Sequence, residues 1–311
     1  MRALVTGGLG FVGRHLVAHL RAMGDDVTIV DHHGSHAVDI TDGPAVSAAV
    51  TKARPEVVYH LAGWADVGAS WRDPVAVFRV NAEGTLHVLR ACSQAGVERV
   101  LAVASADVYG VVAEDELPLT ETSPLRPTSP YAASKLAAEA LARQAFLGNG
   151  LGVIGVRPFN HLGPGQSEQV VAPAIAARLA RAERDGTRTI PIGNLSARRD
   201  VTDVRDVVRA YRLLLERGEP GEVYNVCTGV DLAIQRLADL LVALARCPIE
   251  LVTDPSLLRP IDLPVLRGDV SKLRAATGWE PAIAIEQTVA DLLDDMRARV
   301  GAETVPMMEE T

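Results

Sequence analysis

The first apolar run of this 311-residue chain leads directly into a glycine-rich turn. The segment MRALVTGGLGFVG places Gly7, Gly10 and Gly13 at three-residue intervals, where a strand pattern ends and a helical pattern begins. This spacing gives a tight turn, lets the backbone approach a pyrophosphate, and packs the helix closely on the strand. Taken alone, the array also fits an ordinary strand-to-helix turn.

The end of the second predicted strand supports a nucleotide site. Asp31 lies about 20 residues after the array, where a carboxylate can accept both hydroxyls of an adenosine ribose. The same carboxylate would repel a 2′-phosphate, so the sequence favours NAD(H), with NADP(H) as the alternative. Asp39 and Ile40 could then line the adenine; alternatively, Asp39 caps the helix that begins near Asp42.

Short apolar runs alternate with helical patterns along the first half of the chain. This alternation predicts a doubly wound α/β fold, a parallel Rossmann sheet covered by helices on both faces. The predicted strands are Ala3 to Thr6, Val27 to Asp31, Val57 to Ala62, Arg99 to Ser105, Gly152 to Arg157 and Glu222 to Thr228.

The alternation ends after residue 160, where prolines and glycines separate helical pieces. We therefore predict two interleaved domains. Residues 1–160 plus about 200–230 form the dinucleotide-binding domain. Residues 161–199 plus 231–300 form a smaller substrate-binding lobe, and residues 301–311 form a disordered tail.

Composition excludes several classes of partner. The net charge is -8 and no basic stripe is present, which argues against a nucleic-acid partner. The three cysteines form no CxxC pair, and His32 and His33 have no partners at metal spacing, so we expect neither disulfides nor a metal. The N-terminus does not read as a secretion signal, and no apolar stretch is long enough to cross a membrane. We expect a cytoplasmic protein.

The segment SPYAASK places a phenol and an ammonium on one helical face. Ser129 or Thr128 can cap this helix, and Tyr131 and Lys135 stand four residues apart. A nearby ammonium would lower the pKa of the tyrosine from about 10 toward neutrality. Tyr131 would then be usable as an acid or base, although a Tyr and a Lys can also share a helix surface incidentally.

Together with HLAG, SADVYG, RPFN, RRDVTDVRD and GDVSKLRAATGWEP, these motifs resemble the extended short-chain dehydrogenase/reductases that modify nucleotide sugars, the NAD-dependent epimerase/dehydratase family. The resemblance covers nearly the whole chain and implies a catalytic triad of Ser105, Tyr131 and Lys135, with Asn81 near the active site. The cofactor-binding residues expected are Gly7, Gly10, Phe11, Val12, Gly13, Asp31, Asp39, Ile40, Leu61, Ala62, Gly63, Tyr131 and Lys135.

Within the family, the motifs resemble most the reductases of GDP-4-keto-6-deoxy-mannose. The resemblance implies reduction of the C4 keto group of a GDP-4-keto-6-deoxy-hexose with a nicotinamide cofactor. The substrate-binding residues expected are Asp107, Asn160, Arg199 and Arg259. The family's 4,6-dehydratases carry a glutamate where this chain has Asp107, and the shorter side chain disfavours dehydration.

Three alternatives or additions stay open at this point. A nucleotide-sugar 4-epimerase would use the same Tyr131, and family epimerases keep NAD⁺ bound, as Asp31 would favour. A non-catalytic nucleotide-binding scaffold would not need the three catalytic residues that are present. Homodimerisation through the helices of residues 74–94 and 129–146 is expected from the resemblance, although packing on the sheet also explains their apolar faces.

Overall fold

The computed structural model describes residues 1–34, 37–257 and 264–303. The strands are β1 (Arg2–Thr6), β2 (Asp26–Val30), β3 (Val57–His60), β4 (Arg99–Val103), β5 (Gly152–Pro158), β6 (Asn160–Leu162), β7 (Thr189–Ile192), β8 (Arg198–Asp203), β9 (Val223–Val226), β10 (Asp231–Ala233), β11 (Glu250–Thr253) and β12 (Val265–Leu266). The helices are α1 (Phe11–Ala22), α2 (Gly43–Ala53), α3 (Val67–Ser70), α4 (Pro74–Phe78), α5 (Gly84–Ala95), α6 (Pro130–Asn149), α7 (Val171–Asp185), α8 (Val204–Arg217), α9 (Ile234–Ala243), α10 (Ser271–Thr277) and α11 (Ile285–Ala302).

A six-stranded parallel sheet forms the larger lobe, with strand order β2-β1-β3-β4-β5-β9. Successive side chains of a strand point to opposite faces, and both faces of this sheet are covered. Val5 and Tyr59 pack on the face that carries α1 and α8, whereas Leu4 and Val58 pack on the face that carries α2, α5 and α6. The predicted doubly wound α/β fold is confirmed.

The smaller lobe has its own apolar core. Strand β8 pairs with β10, β12 and β6, and β7 pairs with β11. Helices α7, α9 and α11 cover these strands, burying residues such as Leu179, Leu241 and Leu292. No described helix is both long and apolar enough to cross a membrane.

The chain crosses between the lobes more than once. It leaves the sheet after β5, returns with α8 and β9, and leaves again at β10. We predicted all of residues 231–300 for the smaller lobe, but α10 and Trp279 pack on α8 in the larger one. The Trp279 indole N–H donates to the Asp206 carbonyl at 3.0 Å, which anchors this return.

The C-terminal helix also extends past its predicted end. Helix α11 continues to Ala302, so the predicted tail begins within a helix. Glu303 pairs with Arg181 of α7 at 2.8 Å. Residues 304–311, the rest of the predicted tail, lie outside the described residues.

Candidate active site

The glycine turn forms a cradle at the start of α1. Gly7 has a φ of +72°, which favours glycine, and a Cβ on Gly13 would lie 2.1 Å from the Gly7 carbonyl oxygen. Around Gly10 there is more room, since a Cβ there would meet Gly7 O at 3.3 Å. No side chain of the described residues caps the start of α1, and the first turn of α1 holds no acidic residue. The first N–H groups of α1 therefore suit a pyrophosphate.

Asp31 joins this cradle to the end of β2. Its side chain is buried, Oδ2 accepts the Leu9 N–H at 2.9 Å, and Oδ1 accepts the His33 N–H at 3.1 Å. The carboxylate is thus held beside the glycine turn by two backbone donors. This is the position that ribose recognition requires.

The two residues expected at the adenine differ in exposure. Asp39 is exposed, and Oδ1 accepts the Thr41 N–H at 2.8 Å. That bond, followed by one from the Thr41 hydroxyl, lowers the pKa of Asp39. Ile40 is buried against Gly84 of α5. The alternative in which Asp39 caps the next helix is wrong, because Asp42 caps α2 through the Ala45 N–H at 3.0 Å.

The loop of residues 61–63 lies between the glycine turn and α6, the helix that carries Tyr131 and Lys135. Thr6 Oγ1 accepts the Ala62 N–H at 3.2 Å, and a Cβ on Gly7 would lie 2.7 Å from Ala62 N. A Cβ on Gly63 would lie 2.8 Å from Asn81 Oδ1 and 3.3 Å from Lys135 Nζ. The loop therefore passes between the expected cofactor cradle and the expected catalytic residues.

Ser105, Tyr131 and Lys135 meet where β4 ends and α6 begins. Ser129 caps α6 through the Ala132 N–H at 3.1 Å, as predicted for this position, and Pro130 opens the helix. The Ser105 side chain hydrogen-bonds Tyr131. Lys135 Nζ donates to the Val103 carbonyl at 3.0 Å. Ser105, Tyr131 and Lys135 are all buried.

The electrostatics of Tyr131 differ from our expectation. Burial raises the pKa of Tyr131 well above 10, the charge of Asp107 raises it further, and the hydrogen bond from Ser105 opposes this. We expected Lys135 to lower this pKa, but its ammonium is directed at the Val103 carbonyl. Burial lowers the pKa of Lys135 to about 8. Tyr131 therefore keeps its proton at neutral pH and can act as an acid.

A buried chain of polar groups supports this site, and sequence reasoning missed most of it. His60 lies between the Thr6 and Thr85 hydroxyls, at 2.8 and 2.9 Å. Burial, and then the charge of Lys135, lowers the pKa of His60 to about 3, so the ring is neutral. The sequence does hold one signal of this chain of polar groups, because His60, the first residue of HLAG, follows an otherwise apolar strand pattern.

Asn81 links that chain of polar groups to α6. It lies in a π-helical turn, Arg79–Glu83, between α4 and α5. Its amide oxygen accepts the Trp64 N–H at 2.7 Å, and Nδ2 donates to Ser134 Oγ at 2.9 Å. Ser134 in turn donates to the Tyr131 carbonyl at 2.7 Å. Single π turns are frequent at functional sites because they redirect one side chain out of the helical register.

The expected substrate residues are distributed over both lobes. Asp107 lies in the 3₁₀ turn after Ser105, and its N–H donates to Ser105 Oγ at 3.2 Å. Asn160 is exposed at the start of β6 and pairs in register with Val201 of β8. Arg199 lies in β8, where Nη1 donates to the Arg198 carbonyl at 2.9 Å. Arg259 lies outside the described residues.

Two further arginines near β8 were missed by the sequence reasoning. Arg198 pairs with Asp231 Oδ2, and Arg267 Nη1 lies 3.1 Å from Asp231 Oδ1. Two guanidinium groups thus share one carboxylate, which leaves a surplus of positive charge. Such a surplus suits a diphosphate. Within residues 1–34, 37–257 and 264–303 no group of His, Cys, Asp and Glu side chains is arranged to hold a metal ion.

Comparisons with known proteins match this geometry to one family. The profile of the NAD dependent epimerase/dehydratase family matches residues 3–227. The chain is 38% identical to GDP-6-deoxy-D-mannose reductase of Pseudomonas aeruginosa, over 97% of this chain and 99% of that protein.

Solved structures agree with the sequence match. The structure of RMD from Pseudomonas aeruginosa complexed with NADPH superposes with a TM-score of 0.88 at 37% identity, covering 96% of this chain and 100% of that one. The UDP-glucose 4-epimerase of Thermus thermophilus complexed with NAD has a TM-score of 0.85 at 32% identity, covering 96% and 99%.

Proposed function

This chain belongs to the NAD-dependent epimerase/dehydratase family, and on that premise we propose that it is a nucleotide-sugar reductase acting on the C4 keto group of a GDP-4-keto-6-deoxy-hexose. The observation that carries the proposal is the 38% identity to a GDP-6-deoxy-D-mannose reductase over nearly the full length of both proteins. The protonated, buried Tyr131 beside Ser105 supplies the acid that a ketone reduction needs.

The residues of the larger lobe fit a nicotinamide dinucleotide. The cradle of Gly7, Gly10 and Gly13 at the start of α1 would hold the pyrophosphate, and Asp31 would hold the adenosine ribose. When bound, the cofactor supplies the hydride for C4 of the sugar. Because Asp31 is a carboxylate, we propose that NAD(H) is preferred over NADP(H) at neutral pH.

Tyr131 acts as the general acid in this proposal. Its hydroxyl gives a proton to the sugar oxygen as negative charge develops there, while the Ser105 hydroxyl hydrogen-bonds the same oxygen. The high pKa of Tyr131 holds that proton until the oxygen becomes strongly basic. Asp107, whose charge contributes to this pKa, favours the acid role further.

Lys135 has a second role in the same site. Its buried ammonium lies next to Gly63, at the loop that borders the cofactor, so it is placed to bind the nicotinamide ribose. The chain of Asn81, Ser134 and His60 positions the helix that carries Tyr131 and Lys135. None of these three supporting residues needs to touch substrate.

The sugar nucleotide is proposed to lie between the lobes. Asn160 is the first residue of β6, two residues after the end of β5, and it is exposed. Arg199, with the Arg198 and Arg267 pair on Asp231, provides cations for the diphosphate. Arg259 stays a predicted contributor to this group.

A 4-epimerase is the second candidate function. The chain is 32% identical to a UDP-glucose 4-epimerase of Mycolicibacterium smegmatis over 96% of its length, and Asp31 suits the NAD that epimerases recycle. In that reaction Tyr131 would first remove a proton from the C4 hydroxyl. The raised pKa of Tyr131 opposes this first step.

One experiment separates the two functions. The purified chain is denatured, and released NAD(H) or NADP(H) is quantified by chromatography. In parallel, the protein is supplied with NADH or NADPH and a GDP-4-keto-6-deoxy-hexose, and loss of absorbance of the reduced cofactor is followed. A reductase consumes reduced cofactor in proportion to product, and Tyr131→Phe lowers this rate by about 10²–10⁴-fold while still binding cofactor. Stoichiometric bound NAD⁺ with no net consumption would instead identify the epimerase.

We also propose that the protein is a homodimer. Val75 and Phe78 of α4 are 69% and 52% exposed, and Trp71 just before α4 is 57% exposed. They adjoin α6, whose outward positions include Ala133, Ala140 and Leu147. Exposed apolar side chains on two packed helices suit a second copy of the chain.

A further inference from the structure

A second buried polar network joins the elements that carry the catalytic residues. Tyr109 is fully buried, and its hydroxyl donates to Asn225 Oδ1 of β9 at 2.7 Å and accepts from Arg157 Nη1 of β5 at 2.9 Å. Arg157 also donates to both carboxylate oxygens of Glu139 on α6, at 2.8 and 2.6 Å. One phenol and one guanidinium therefore connect β5, β9 and α6 with the turn that ends at Tyr109.

That turn begins at Ser105. Ser105 caps the 3₁₀ turn Ala106–Tyr109, because its Oγ accepts the Asp107 N–H at 3.2 Å. The Val108 N–H donates to the Ser105 carbonyl at 3.3 Å, so the turn is bonded from end to end. A displacement of the Tyr109 phenol is therefore transmitted along the turn to Ser105.

The guanidinium of Arg157 also holds the helix that carries Tyr131. Glu139 lies further along α6 than Tyr131, and the Arg157 and Glu139 side chains are only 4% and 10% exposed. Apolar residues of similar volume often stabilise a protein interior as well as a buried ion pair does. A bidentate pair adds geometric specificity instead, and here it fixes the position of α6 relative to β5.

We propose that Tyr109 is a positioning residue whose hydroxyl holds Ser105 at hydrogen-bond distance from Tyr131, so that both side chains reach the sugar oxygen together. The inference rests on the proposed function, in which these two side chains contact that oxygen. Tyr109 has no exposed surface with which to touch substrate. Burial raises the pKa of the Tyr109 phenol to about 12, so the phenol keeps its proton and its hydrogen bond to Asn225.

The variant Tyr109→Phe deletes only this hydroxyl. Its kcat and KM are measured with GDP-4-keto-6-deoxy-mannose and whichever of NADH and NADPH the wild type oxidises faster. We expect kcat to fall about tenfold while KM changes less than about twofold, because a misplaced catalytic group slows the chemical step without removing a substrate contact.

Tyr59→Phe is the matched control. Tyr59 is also fully buried, but its hydroxyl has no hydrogen-bond partner among residues 1–34, 37–257 and 264–303. Deleting it should leave kcat and KM unchanged. An unchanged kcat in Tyr109→Phe as well would overturn the inference.

A double-mutant cycle tests whether the effect passes through Ser105. Ser105→Ala alone should lower kcat by about 10²–10³-fold, as the loss of one donor to a developing oxyanion does. In the Ser105→Ala background, Tyr109→Phe should cause no further loss, because the hydroxyl that it positions is absent. A purely structural role would lower kcat by the same factor in both backgrounds, and that result would overturn the inference.

A crystal structure of ligand-free Tyr109→Phe gives a measurement that does not depend on activity. Ser105 Oγ and the Tyr131 hydroxyl should lie about 3.5 Å or more apart in the variant, beyond hydrogen-bond distance, and should stay bonded in Tyr59→Phe. An unchanged hydrogen bond in Tyr109→Phe would overturn the inference. A wild type that does not reduce the keto sugar would overturn the proposed function, and the two crystal structures would still decide the role of Tyr109.

Discussion

At the scale of single residues, the sequence predicted which side chains meet but not how they titrate. The four-residue spacing of Tyr131 and Lys135 on a helix is enough to predict their proximity. The pKa of Lys135 depends on burial, and that of Tyr131 depends on burial and on Asp107 and Ser105, which belong to a distant segment. A local sequence pattern carries no information on burial or on partners from distant segments. The same reason hid His60, whose partners Thr6 and Thr85 lie 54 and 25 residues away.

Lys135 is placed for function at a cost in stability. Its pKa falls to about 8 on burial, whereas an unfolded lysine titrates near 10.4. Below about pH 8 the folded protein therefore holds a buried charge. Between about pH 8 and 10.4 the unfolded state binds more protons, so this group makes stability rise with pH. We predict that Lys135→Met abolishes turnover but stabilises the ligand-free fold by about 1–3 kcal/mol at pH 7.

Urea unfolding followed by tryptophan fluorescence tests this prediction. The advantage of Lys135→Met over the wild type should shrink as the pH is raised from 7 toward 10, because the wild-type lysine then loses its charge in the folded state while it stays largely protonated in the unfolded state, which raises the stability of the wild type. Lys52→Met, at an exposed position of α2, is the matched control and should show no such trend. A Lys135→Met protein that is less stable than the wild type at pH 7 would contradict the argument.

At the scale of elements, strands and helix starts were well predicted because their causes are local. Apolar runs marked the six strands of the sheet, and Ser129 with Pro130 marked the start of α6. The π turn that presents Asn81 could not be read in this way. It is fixed by contacts to Trp64 and Ser134, which belong to other segments.

Two glycines of the turn are expected to have different roles: Gly13 in packing of the backbone and Gly10 in binding of the cofactor. A Cβ on Gly13 would lie 2.1 Å from Gly7 O and 2.7 Å from Gly8 Cα, which are backbone atoms that cannot move aside. We predict that Gly13→Ala lowers the stability of the ligand-free protein by about 1–3 kcal/mol and weakens cofactor binding. Gly10→Ala should leave that stability nearly unchanged, since its Cβ meets Gly7 O at 3.3 Å, but should weaken binding at least tenfold by blocking the pyrophosphate.

Thermal unfolding without ligand, paired with calorimetric titration of the dinucleotide, measures both effects. Each variant adds one methyl group to the same turn, one at position 10 and the other at position 13. Each variant is therefore the control for the other. Equal losses of stability in Gly10→Ala and Gly13→Ala would show that both glycines are needed for packing, which would contradict the prediction.

At the scale of the whole molecule, the sequence predicted two interleaved lobes but did not predict the contacts that attach one to the other. Asp203 caps α8 and accepts a hydrogen bond from Thr288 of α11 at 2.7 Å. In the motif RRDVTDVRD, an acidic side chain therefore joins the lobes. Which of its charged residues bind phosphate and which bind protein depends on tertiary contacts that the motif does not state.

The outer surface of α4 gives the last prediction. Burying Trp71, Val75 and Phe78 against a second copy would remove large apolar side chains from water, which is the main driving force for such association. We predict that light scattering gives the wild type twice its 33.0 kDa chain mass and that Phe78→Asp gives the mass of one chain. Met23→Asp, at an exposed apolar residue that follows α1 on the opposite face of the sheet, should stay dimeric. A dimer with a well-packed apolar interface persists at micromolar concentration. A wild type with the mass of one chain at that concentration would therefore contradict the proposed dimer.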